Sequence, residues 1–427
     1  MLDLAGKRVF VVGLGASGVA AARLCLSRGA RVVGVDRKPA SELGALGFDV
    51  VAQDAATFDS ADLVVVSPGV PNFPALERAT CPVYGEIELA FQCRMHPSPV
   101  VAVGGTNGKS TVTSLVAALL EGAGKKVFAG GNLGEPWAAH VDDAPENAPE
   151  NTFDVVVLEV SSFQMERVSE FRPDVAVLLN VTDDHLDRYA SFDAYARAKG
   201  NMFARQTERD LAVVPEGDAL CLREARRGNA RVVTFGASDL PSSTAMKLEG
   251  QHNARNAAAA IAAVAPFGVP RETIAKVLAS FEGLPHRMVL VRELNGVRFY
   301  DDSKGTNVGA SVTALRGLRE ARAVLIAGGR DKQGSYAPLA DAMRDKGRAA
   351  VVLGEAANAI ARALEGVVPV ARASSMDDAV NKSAALAQRG DAVLLSPACS
   401  SFDMFRDYKH RGDEFVRAVR SLSEGPP

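Results

Sequence analysis

The segment that decides the fold reads Pro99-Val-Val-Ala-Val-Gly-Gly-Thr-Asn-Gly-Lys-Ser-Thr111, an apolar run that leads into a glycine loop. Glycines let the backbone curl so that its N–H groups point at phosphate oxygens, and a following helix adds the partial positive charge of its N-terminus. Lys109 supplies a full positive charge, and a hydroxyl of Ser110 or Thr111 suits Mg²⁺. The segment therefore predicts a strand, a phosphate-binding loop and a helix that begins at Lys109.

The loop departs from the common phosphate-loop pattern GxxxxGK[ST], which requires glycine where this chain has Val103. We interpret it as a compressed relative of that loop. The alternative is an ordinary strand-to-helix turn with a solvated lysine. The order of strand, GxxGKST and helix favours the phosphate loop.

The same pattern of apolar strand, glycine turn and amphipathic helix begins three times along the chain. The predicted strands are Arg8–Val12, Arg31–Asp36, Asp62–Ser67, Pro99–Gly104, Asp154–Leu158, Asp174–Asn180, Leu211–Val214, Val297–Tyr300, Ala323–Ala327, Ala349–Leu353 and Asp391–Leu395. Strands that are apolar throughout and alternate with helices indicate parallel sheets covered on both faces. We predict an α/β protein of three domains: a Rossmann-like domain at 1–94, a central P-loop-type ATPase domain at 95–284 and a Rossmann-like domain at 285–427.

The composition is that of a globular protein of 427 residues, with 47% hydrophobic residues and a formal net charge of −3. A near-neutral charge gives no electrostatic reason to expect nucleic acid or an anionic membrane as partner. The five cysteines are scattered and form no CxxC pair, which favours a reducing compartment and disfavours a zinc site. There is no charged-then-apolar leader, and no apolar run approaches the roughly 20 residues that span a bilayer. We therefore expect a cytoplasmic protein.

The first predicted domain carries a second glycine motif, Gly13-Leu-Gly-Ala-Ser-Gly18, and Asp36 ends the following strand. This is the dinucleotide fingerprint, in which an acidic residue about 20 positions on binds a ribose hydroxyl. The glycines indicate a close phosphate approach at a helix N-terminus, but they do not say which nucleotide is bound. An NAD-dependent oxidoreductase therefore stays open as an alternative function.

Polar residues follow several predicted strands, where doubly wound sheets bind their ligands. Glu159 and Ser161 follow one strand of the central domain, and Asp184 and His185 follow the next. A glutamate and a histidine near the Lys109 loop would complete the coordination of a Mg²⁺ that is bound to polyphosphate. The alternative is that such residues cap the helices that follow.

Other polar residues have equally plain alternatives. On its own, Lys199 has the pattern of a solvated helix lysine, and His286-Arg287 fits a linker. Asn253 and Asn256 fit caps of an alanine-rich helix at about 254–265. The last predicted domain has three polar clusters after strands, at residues 302–307, 328–332 and 396–402. These clusters suggest a binding face without identifying its ligand.

Together these segments resemble the Mur ligase family over essentially the whole chain. The most specific matching segments are Gly105–Thr111, Asn180–His185, Leu284–Arg287, Asp302–Asn307 and Leu395–Phe402. The resemblance implies an ATP-dependent amide ligase that works through an acyl phosphate, with ATP and Mg²⁺ as cofactors. The last segment, with Lys304 and Thr306, resembles the members that add D-glutamate to UDP-N-acetylmuramoyl-L-alanine in peptidoglycan synthesis. We expect those two substrates, a monomer, and no nucleic-acid or membrane partner.

The resemblance also implies roles for individual residues. Those implied to bind ATP are Gly105, Thr106, Asn107, Gly108, Lys109, Ser110, Thr111, Asn253, Asn256, Arg287 and Asp302. Those implied to bind metal are Ser110, Glu159, His185 and Lys199, the last as the lysine that is carbamylated in this family. Those implied to bind the UDP substrate are Ser17, Arg37, Ser67, Pro68, Gly69, Asn132 and Ser161, and those for D-glutamate are Lys304, Thr306, Lys332, Ser401 and Tyr408. The implied catalytic residues are Lys109, His185, Lys199 and Arg287, with His185 or Asp184 as the base for the attacking amine.

Two positions depart from the family pattern. Tyr408 stands where phenylalanine is typical, and the segment around Lys332 varies. The nearer alternatives are a folylpolyglutamate-type ligase and a Mur-type ligase for a different amino acid. A phosphate-loop switch without ligase activity is a further one. Only the last predicted domain separates the ligases from one another.

Overall fold

The computed structural model describes residues 2–44, 46–132, 134–141, 153–184, 188–240, 246–247, 250–331 and 335–423. Within these residues the chain forms three sheets whose strands alternate with helices. The predicted α/β class is therefore confirmed. None of the described helices combines the length and the apolar character needed to cross a membrane.

The first sheet has five parallel strands in the order β3-β2-β1-β4-β5. They are β1 (Arg8–Val12), β2 (Arg31–Asp36), β3 (Asp49–Ala52), β4 (Leu63–Val66) and β5 (Val83–Gly85). The helices of this part are α1 (Ala16–Ser27), α2 (Ala40–Leu43), α3 (Pro74–Glu77) and α4 (Glu86–Cys93). The strand order reverses between β1 and β4, and sheets of this kind bind ligands in the crevice at that reversal.

The second sheet has six parallel strands in the order β11-β10-β9-β6-β8-β7. They are β6 (Val100–Gly104), β7 (Val127–Gly131), β8 (Val155–Glu159), β9 (Val175–Leu178), β10 (Leu211–Pro215) and β11 (Arg231–Phe235). The helices are α5 (Lys109–Gly122), α6 (Ser162–Met165), α7 (Phe192–Gly200), α8 (Ala219–Ala225), α9 (Gln251–Val264) and α10 (Arg271–Ser280). Val101 and Val103 of β6 share one buried core with Val112 and Val116 of α5. This packing positions the loop between β6 and α5.

The third sheet has six strands in the order β12-β13-β17-β14-β15-β16. They are β12 (Val289–Leu294), β13 (Val297–Asp301), β14 (Ala323–Gly328), β15 (Gly347–Leu353), β16 (Val370–Arg372) and β17 (Ala392–Leu395). The helices are α11 (Val308–Gly317), α12 (Ala337–Lys346), α13 (Ala357–Ala363), α14 (Met376–Leu386) and α15 (Tyr408–Ser421). Leu325 and Ala327 of β14 enter one buried core, whereas Val324 and Ile326 enter another. The sheet is thus covered on both faces, because successive side chains of a strand point to opposite sides.

One edge of the third sheet differs from the predicted all-parallel arrangement, since β12 pairs with β13 in the antiparallel direction. Asn295 and Gly296 join the two strands with φ angles of 54° and 74°. Two successive left-handed residues are what a two-residue hairpin needs, and Asn-Gly is the favoured pair for that turn.

The chain divides into two compact units. The first contains residues 1–181, 193–249 and 253–281, and therefore the first two sheets. The second contains residues 182–192, 250–252 and 282–427, and therefore the third sheet. The predicted division into three domains stays a prediction.

Candidate active site

The glycine loop between β6 and α5 leads directly into the first turn of the helix. Gly108 immediately precedes α5 with a left-handed φ of 86°, and as a glycine it has no side chain with which to cap the helix. A Cβ atom at Gly108 would lie 2.7 Å from Oδ1 of Asn256 on α9. Glycine is therefore required both by the backbone angle and by the close approach of that amide. This places Asn256, a predicted ATP ligand, against the loop, while Asn253 lies earlier in the same helix.

The loop is held in shape by Asn180, which follows the neighbouring strand β9. Its Nδ2 donates to the carbonyl oxygen of Asn107 at 3.0 Å, and its Oδ1 accepts from the N–H of Asn107 at 2.9 Å. Its own carbonyl oxygen accepts from the N–H of Thr106 at 3.0 Å. Asn180 was not predicted as a site residue, although an asparagine directly after a buried strand was the available signal.

Two lysine side chains reach carbonyl oxygens of the same loop. Lys109 donates from Nζ to Thr106 at 2.8 Å, and Lys199 of α7 donates from Nζ to Gly105 at 2.8 Å. Lys199 is only 4% exposed, and its Nζ lies 4.6 Å from the ring centre of Tyr195. The interpretation of Lys199 as a solvated helix lysine is therefore wrong. Four predicted ATP or metal residues, including Gly105 and Thr106, come together here.

Glu159 ends β8 beside β6, and its backbone pairs with Val103. The carboxylate is 3% exposed, and its Oε1 accepts from Nδ2 of Asn132 at 2.6 Å. Glu159 and Asn132, one predicted for metal and the other for substrate, are thus direct neighbours. Ser161 caps α6 by accepting from the N–H of Gln164, so the capping interpretation is confirmed for Ser161.

The hydroxyls at the start of α5 supply oxygen atoms for a cation. Ser110 and Thr111 are buried, and Oγ1 of Thr111 has no hydrogen-bond partner among the described residues. These hydroxyls and the Glu159 carboxylate fit Mg²⁺, which takes oxygen ligands and leaves several positions to phosphate or water. Over the described ranges no three His, Cys, Asp or Glu side chains form a ready metal cluster. His185, the other predicted metal ligand, lies outside the described residues.

Five of the seven predicted contacts for the UDP substrate lie at the carboxyl edge of the first sheet, whereas Asn132 and Ser161 follow strands of the second sheet. Ser17 lies in the first turn of α1, after β1, whereas Ser67, Pro68 and Gly69 follow β4 and Arg37 follows β2. The β1 and β4 positions flank the reversal of strand order where a ligand is expected. The structure therefore places these five residues around one edge of the sheet.

The acidic residue of the dinucleotide fingerprint has a structural use in this fold. Oδ2 of Asp36 accepts from the N–H of Leu14 at 2.6 Å, and Oδ1 accepts from the N–H of Lys38 at 2.9 Å. Ser67 donates from Oγ to the carbonyl oxygen of Gly13 at 2.6 Å. Asp36 and Ser67 thus hold the glycine loop in place. The acid at this position therefore does not by itself indicate NAD.

The three polar clusters of the last predicted domain follow three adjacent strands. Residues 302–307 follow β13, residues 396–402 follow β17 and residues 328–331 follow β14. The carboxyl ends of these parallel strands meet at one edge, which brings Lys304, Thr306 and the buried Ser401 to that edge. Lys332 lies outside the described residues.

Asp302 is a buried carboxyl group with an altered acidity. Its Oδ2 accepts from Oγ of Ser396 at 2.7 Å. Burial raises the pKa of Asp302 to about 7, while the positive charge of Arg287 and the Ser396 hydroxyl act in the opposite direction. Nε of Arg287 is buried and has no hydrogen-bond partner within the described part of the chain. The two predicted ATP residues of this domain are therefore electrostatically linked.

Tyr408 begins α15 and presents its ring to a cation. Nζ of Lys304 lies 5.1 Å from the centre of the ring, and His286 packs edge-on at 6.4 Å between ring centres. His286 is held by Asp301, whose Oδ2 lies 2.7 Å from Nδ1. The contact of Lys304 is with the aromatic face, which phenylalanine also has. The departure from phenylalanine at this position therefore preserves the contact.

The three sheets and the glycine loop at 104–111 are typical of one class of protein, the α/β proteins that bind nucleotide phosphates. Residues 103–243 match the Mur ligase middle domain, and residues 286–399 match the Mur ligase glutamate ligase domain. A relative from Syntrophotalea carbinolica, named UDP-N-acetylmuramoylalanine--D-glutamate ligase, is 41% identical over 99% of this chain and 99% of its own length. The chain therefore belongs to the Mur ligase family, and the resemblance found in the sequence is confirmed.

Solved structures share the fold along almost the whole chain. The pseudomurein peptide ligase type C from Methanothermus fervidus matches with a TM-score of 0.61 and 16% identity, over 97% of this chain and 100% of that one. The MurF ligase from Thermotoga maritima, in complex with ADP, matches with a TM-score of 0.60 and 18% identity, over 99% and 100%. At these identities the matches carry the fold alone, and they agree with the predicted fold class.

Proposed function

We propose that this chain joins D-glutamate to UDP-N-acetylmuramoyl-L-alanine in the cytoplasm, with hydrolysis of ATP to ADP and phosphate, as a step of peptidoglycan precursor synthesis. The observation that carries the proposal is the 41% identity, over 99% of both chains, with the relative named for that reaction. The family supports the predicted enzyme class, an amide-bond-forming ligase. Two features support it: the glycine loop before α5, and the polar side chains at one edge of the third sheet.

The phosphate loop supports ATP as the energy source. The N-terminus of α5, which follows a glycine, and the ammonium of Lys109 favour the negative oxygens of a polyphosphate. Mg²⁺ bound near Ser110, Thr111 and Glu159 would offset phosphate charge and orient the γ-phosphoryl group. The roles of Asn253, Arg287 and Asp302 toward ATP are proposed from the family resemblance.

The chemistry activates a carboxylate that is otherwise unreactive toward amines. The terminal L-alanine carboxylate attacks the γ-phosphorus of ATP, ADP leaves, and an acyl phosphate forms. The amine of D-glutamate then attacks the carbonyl carbon, loses one proton to a base and displaces inorganic phosphate. Charge develops on oxygen in both steps, so preorganised donors such as Lys109 supply most of the stabilisation. Asp184 or His185 is proposed as the base.

Lys199 is proposed to act as a carbamate. Reaction of its amine with CO₂ forms a carbamate and releases a proton, which converts a cation into an anionic oxygen donor suited to Mg²⁺. The lysine is buried beside the loop, with Nζ 2.8 Å from the carbonyl oxygen of Gly105, so the modified group would remain next to the phosphates.

The proposal is tested by leaving out one component at a time from a reaction of the purified chain. ATP, Mg²⁺, UDP-N-acetylmuramoyl-L-alanine and D-glutamate together should give one ADP per amide bond formed. Omission of either the UDP substrate or D-glutamate should stop ADP release. Steady ADP release without an amino acid would instead indicate a phosphate-loop switch, and oxidation of NADH would indicate the oxidoreductase alternative.

A further inference from the structure

Arg411 is the largest fully buried side chain in the described part of the chain, with 1% of its surface exposed. It lies in the first turn of α15 and donates three hydrogen bonds. Nε donates to Oγ of Ser303 at 3.0 Å and Nη2 to the carbonyl oxygen of Ser303 at 2.8 Å. Nη1 donates to the carbonyl oxygen of Cys399 at 3.1 Å. One guanidinium therefore joins the loop after β13 to the loop after β17.

A buried guanidinium is costly unless its environment compensates. Among the described residues no carboxylate forms an ion pair with Arg411, and its direct partners are a hydroxyl and two carbonyl oxygens. Burial accordingly lowers the pKa of Arg411 to about 10. An apolar side chain of similar volume would fill this space without the desolvation cost. We therefore explain the buried arginine by the directions of its three hydrogen bonds, which an apolar side chain could not make.

The residues held by Arg411 adjoin those proposed to bind the amino acid. Ser303 immediately precedes Lys304, and Cys399 is two residues before Ser401. Oγ of Ser303 also donates to the carbonyl oxygen of Tyr408 at 2.8 Å. Arg411 and Tyr408 are one helical turn apart on α15. The same small network therefore sets the positions of Lys304, Ser401 and Tyr408 relative to one another.

We propose that Arg411 is a positioning residue for the amino-acid substrate. It sets the spacing of the two loops and of Tyr408, and it acts through Ser303 and Cys399 without touching the substrate. This inference rests on the proposed function, since it assumes that D-glutamate binds at this edge of the third sheet. Arginine is specifically required, because its planar fork directs N–H groups to acceptors on two loops, whereas the lysine ammonium presents all its donors from one point.

The test compares Arg411→Lys with a matched control, Arg292→Lys. Arg292 also donates to backbone carbonyl oxygens, those of Val419, Arg420 and Leu422, but at the far end of α15. Both variants should lower the melting temperature of the full-length enzyme. Only Arg411→Lys should raise the KM for D-glutamate, by about tenfold or more, because small errors in position are costly at a binding site. The KM values for ATP and for the UDP substrate should change less than about twofold.

Equal effects of the two variants on all three KM values would overturn the inference and leave Arg411 a purely structural residue. Should Arg411→Lys fail to fold, Ser303→Ala removes the hydroxyl shared by Arg411 and Tyr408 and should raise the KM for D-glutamate selectively. An unchanged KM for D-glutamate in Ser303→Ala would then overturn it. A wild-type enzyme that does not use D-glutamate would instead refute the proposed function, so the two failures are distinguishable.

Discussion

Nζ of Lys199 and the carbonyl oxygen of Gly105 are 2.8 Å apart, so a side chain of α7 directly contacts the phosphate loop. The two residues are 94 positions apart in the chain. Only 4% of the surface of Lys199 is exposed, whereas most lysines of helices lie on the protein surface. The contact supports the role that we propose for Lys199.

The first prediction concerns Lys199. Lys199→Ala should lower ATP-dependent turnover by about 100-fold or more, because it removes the proposed carbamate oxygens beside the metal. Added formate or acetate should restore part of the activity by supplying a small carboxylate to the vacated space. Steady-state ADP release measures both effects. Lys346→Met is the control, since Lys346 likewise donates to backbone carbonyls, those of Leu318 and Glu320, and should lose stability without losing turnover.

The second prediction concerns Lys109. Lys109→Ala should reduce ADP release by about 100-fold or more, since the charge opposite the transferred phosphoryl group is lost. Binding of the UDP substrate, measured by calorimetry, should change little, because five of its seven proposed contacts lie on the first sheet and none lies in the loop at 105–111. Turnover close to that of the wild type would contradict the assignment of the loop to ATP.

The third prediction distinguishes the first glycine loop from an NAD site. Asp36→Ala should raise the KM for the UDP substrate several-fold, because the N–H of Leu14 loses its acceptor and the loop loosens. Asp62→Ala is the control. Asp62 accepts from the N–H of Arg8 at the opposite end of β1, so it should cost stability without changing that KM. If NADH raises the melting temperature of the wild type but not that of Asp36→Ala, the result supports the oxidoreductase alternative instead.

The fourth prediction concerns stability and pH at Glu86. Its Oε1 accepts from the N–H of Ala138, and burial raises the pKa of the carboxyl group from 4.5 to about 7. Because the folded-state pKa is the higher one, the folded state holds its proton longer, and stability is lost as pH rises from 4.5 through about 7. Glu86→Gln should therefore be more stable than the wild type by about 1–3 kcal/mol at pH 8, with the difference vanishing near pH 4.5.

Denaturant unfolding at several pH values measures that difference. Glu88→Gln serves as the comparison, because Glu88 accepts from the N–H groups of Ser169, Glu170 and Phe171 and should lose stability at pH 8. If the free energy of unfolding of Glu86→Gln depends on pH in the same way as that of the wild type, the raised pKa of Glu86 is contradicted.

The interior strands of all three sheets were predictable from sequence, and the edge strands were not. The strands that the sequence analysis missed are β3, β5, β7, β11, β12 and β16, which are the two edges of each sheet. Interior strands such as β6 are buried at every position and so give continuous apolar runs. Edge strands such as β11, in which the first four of the five residues are only partly buried or exposed, lack that pattern. Partly exposed positions accept polar side chains, so an edge strand need not show the continuous apolar run by which an interior strand is predicted.

The candidate site shows the same division between local and long-range information. The loop at 105–111 was predictable because its glycines, lysine and hydroxyls are consecutive. Asn180 and Arg411 were missed, because Asn180 holds Asn107, 73 positions away, and Arg411 holds Ser303, 108 positions away. Lys199 was assigned from the family resemblance alone, since nothing in its own helix distinguishes it from a surface lysine. Contacts of this kind form only in the folded protein, so no pattern of residue spacing in the sequence predicts them.

The proposed addition of D-glutamate is tested by supplying different amino acids and measuring which of them the chain joins to the UDP substrate. Phosphate release and product mass are followed with UDP-N-acetylmuramoyl-L-alanine, ATP and Mg²⁺ against a panel of single D- and L-amino acids. We expect phosphate release with D-glutamate and a product heavier by one glutamyl residue, with L-glutamate and the other amino acids inactive. Amide formation with another amino acid but not with D-glutamate would contradict it.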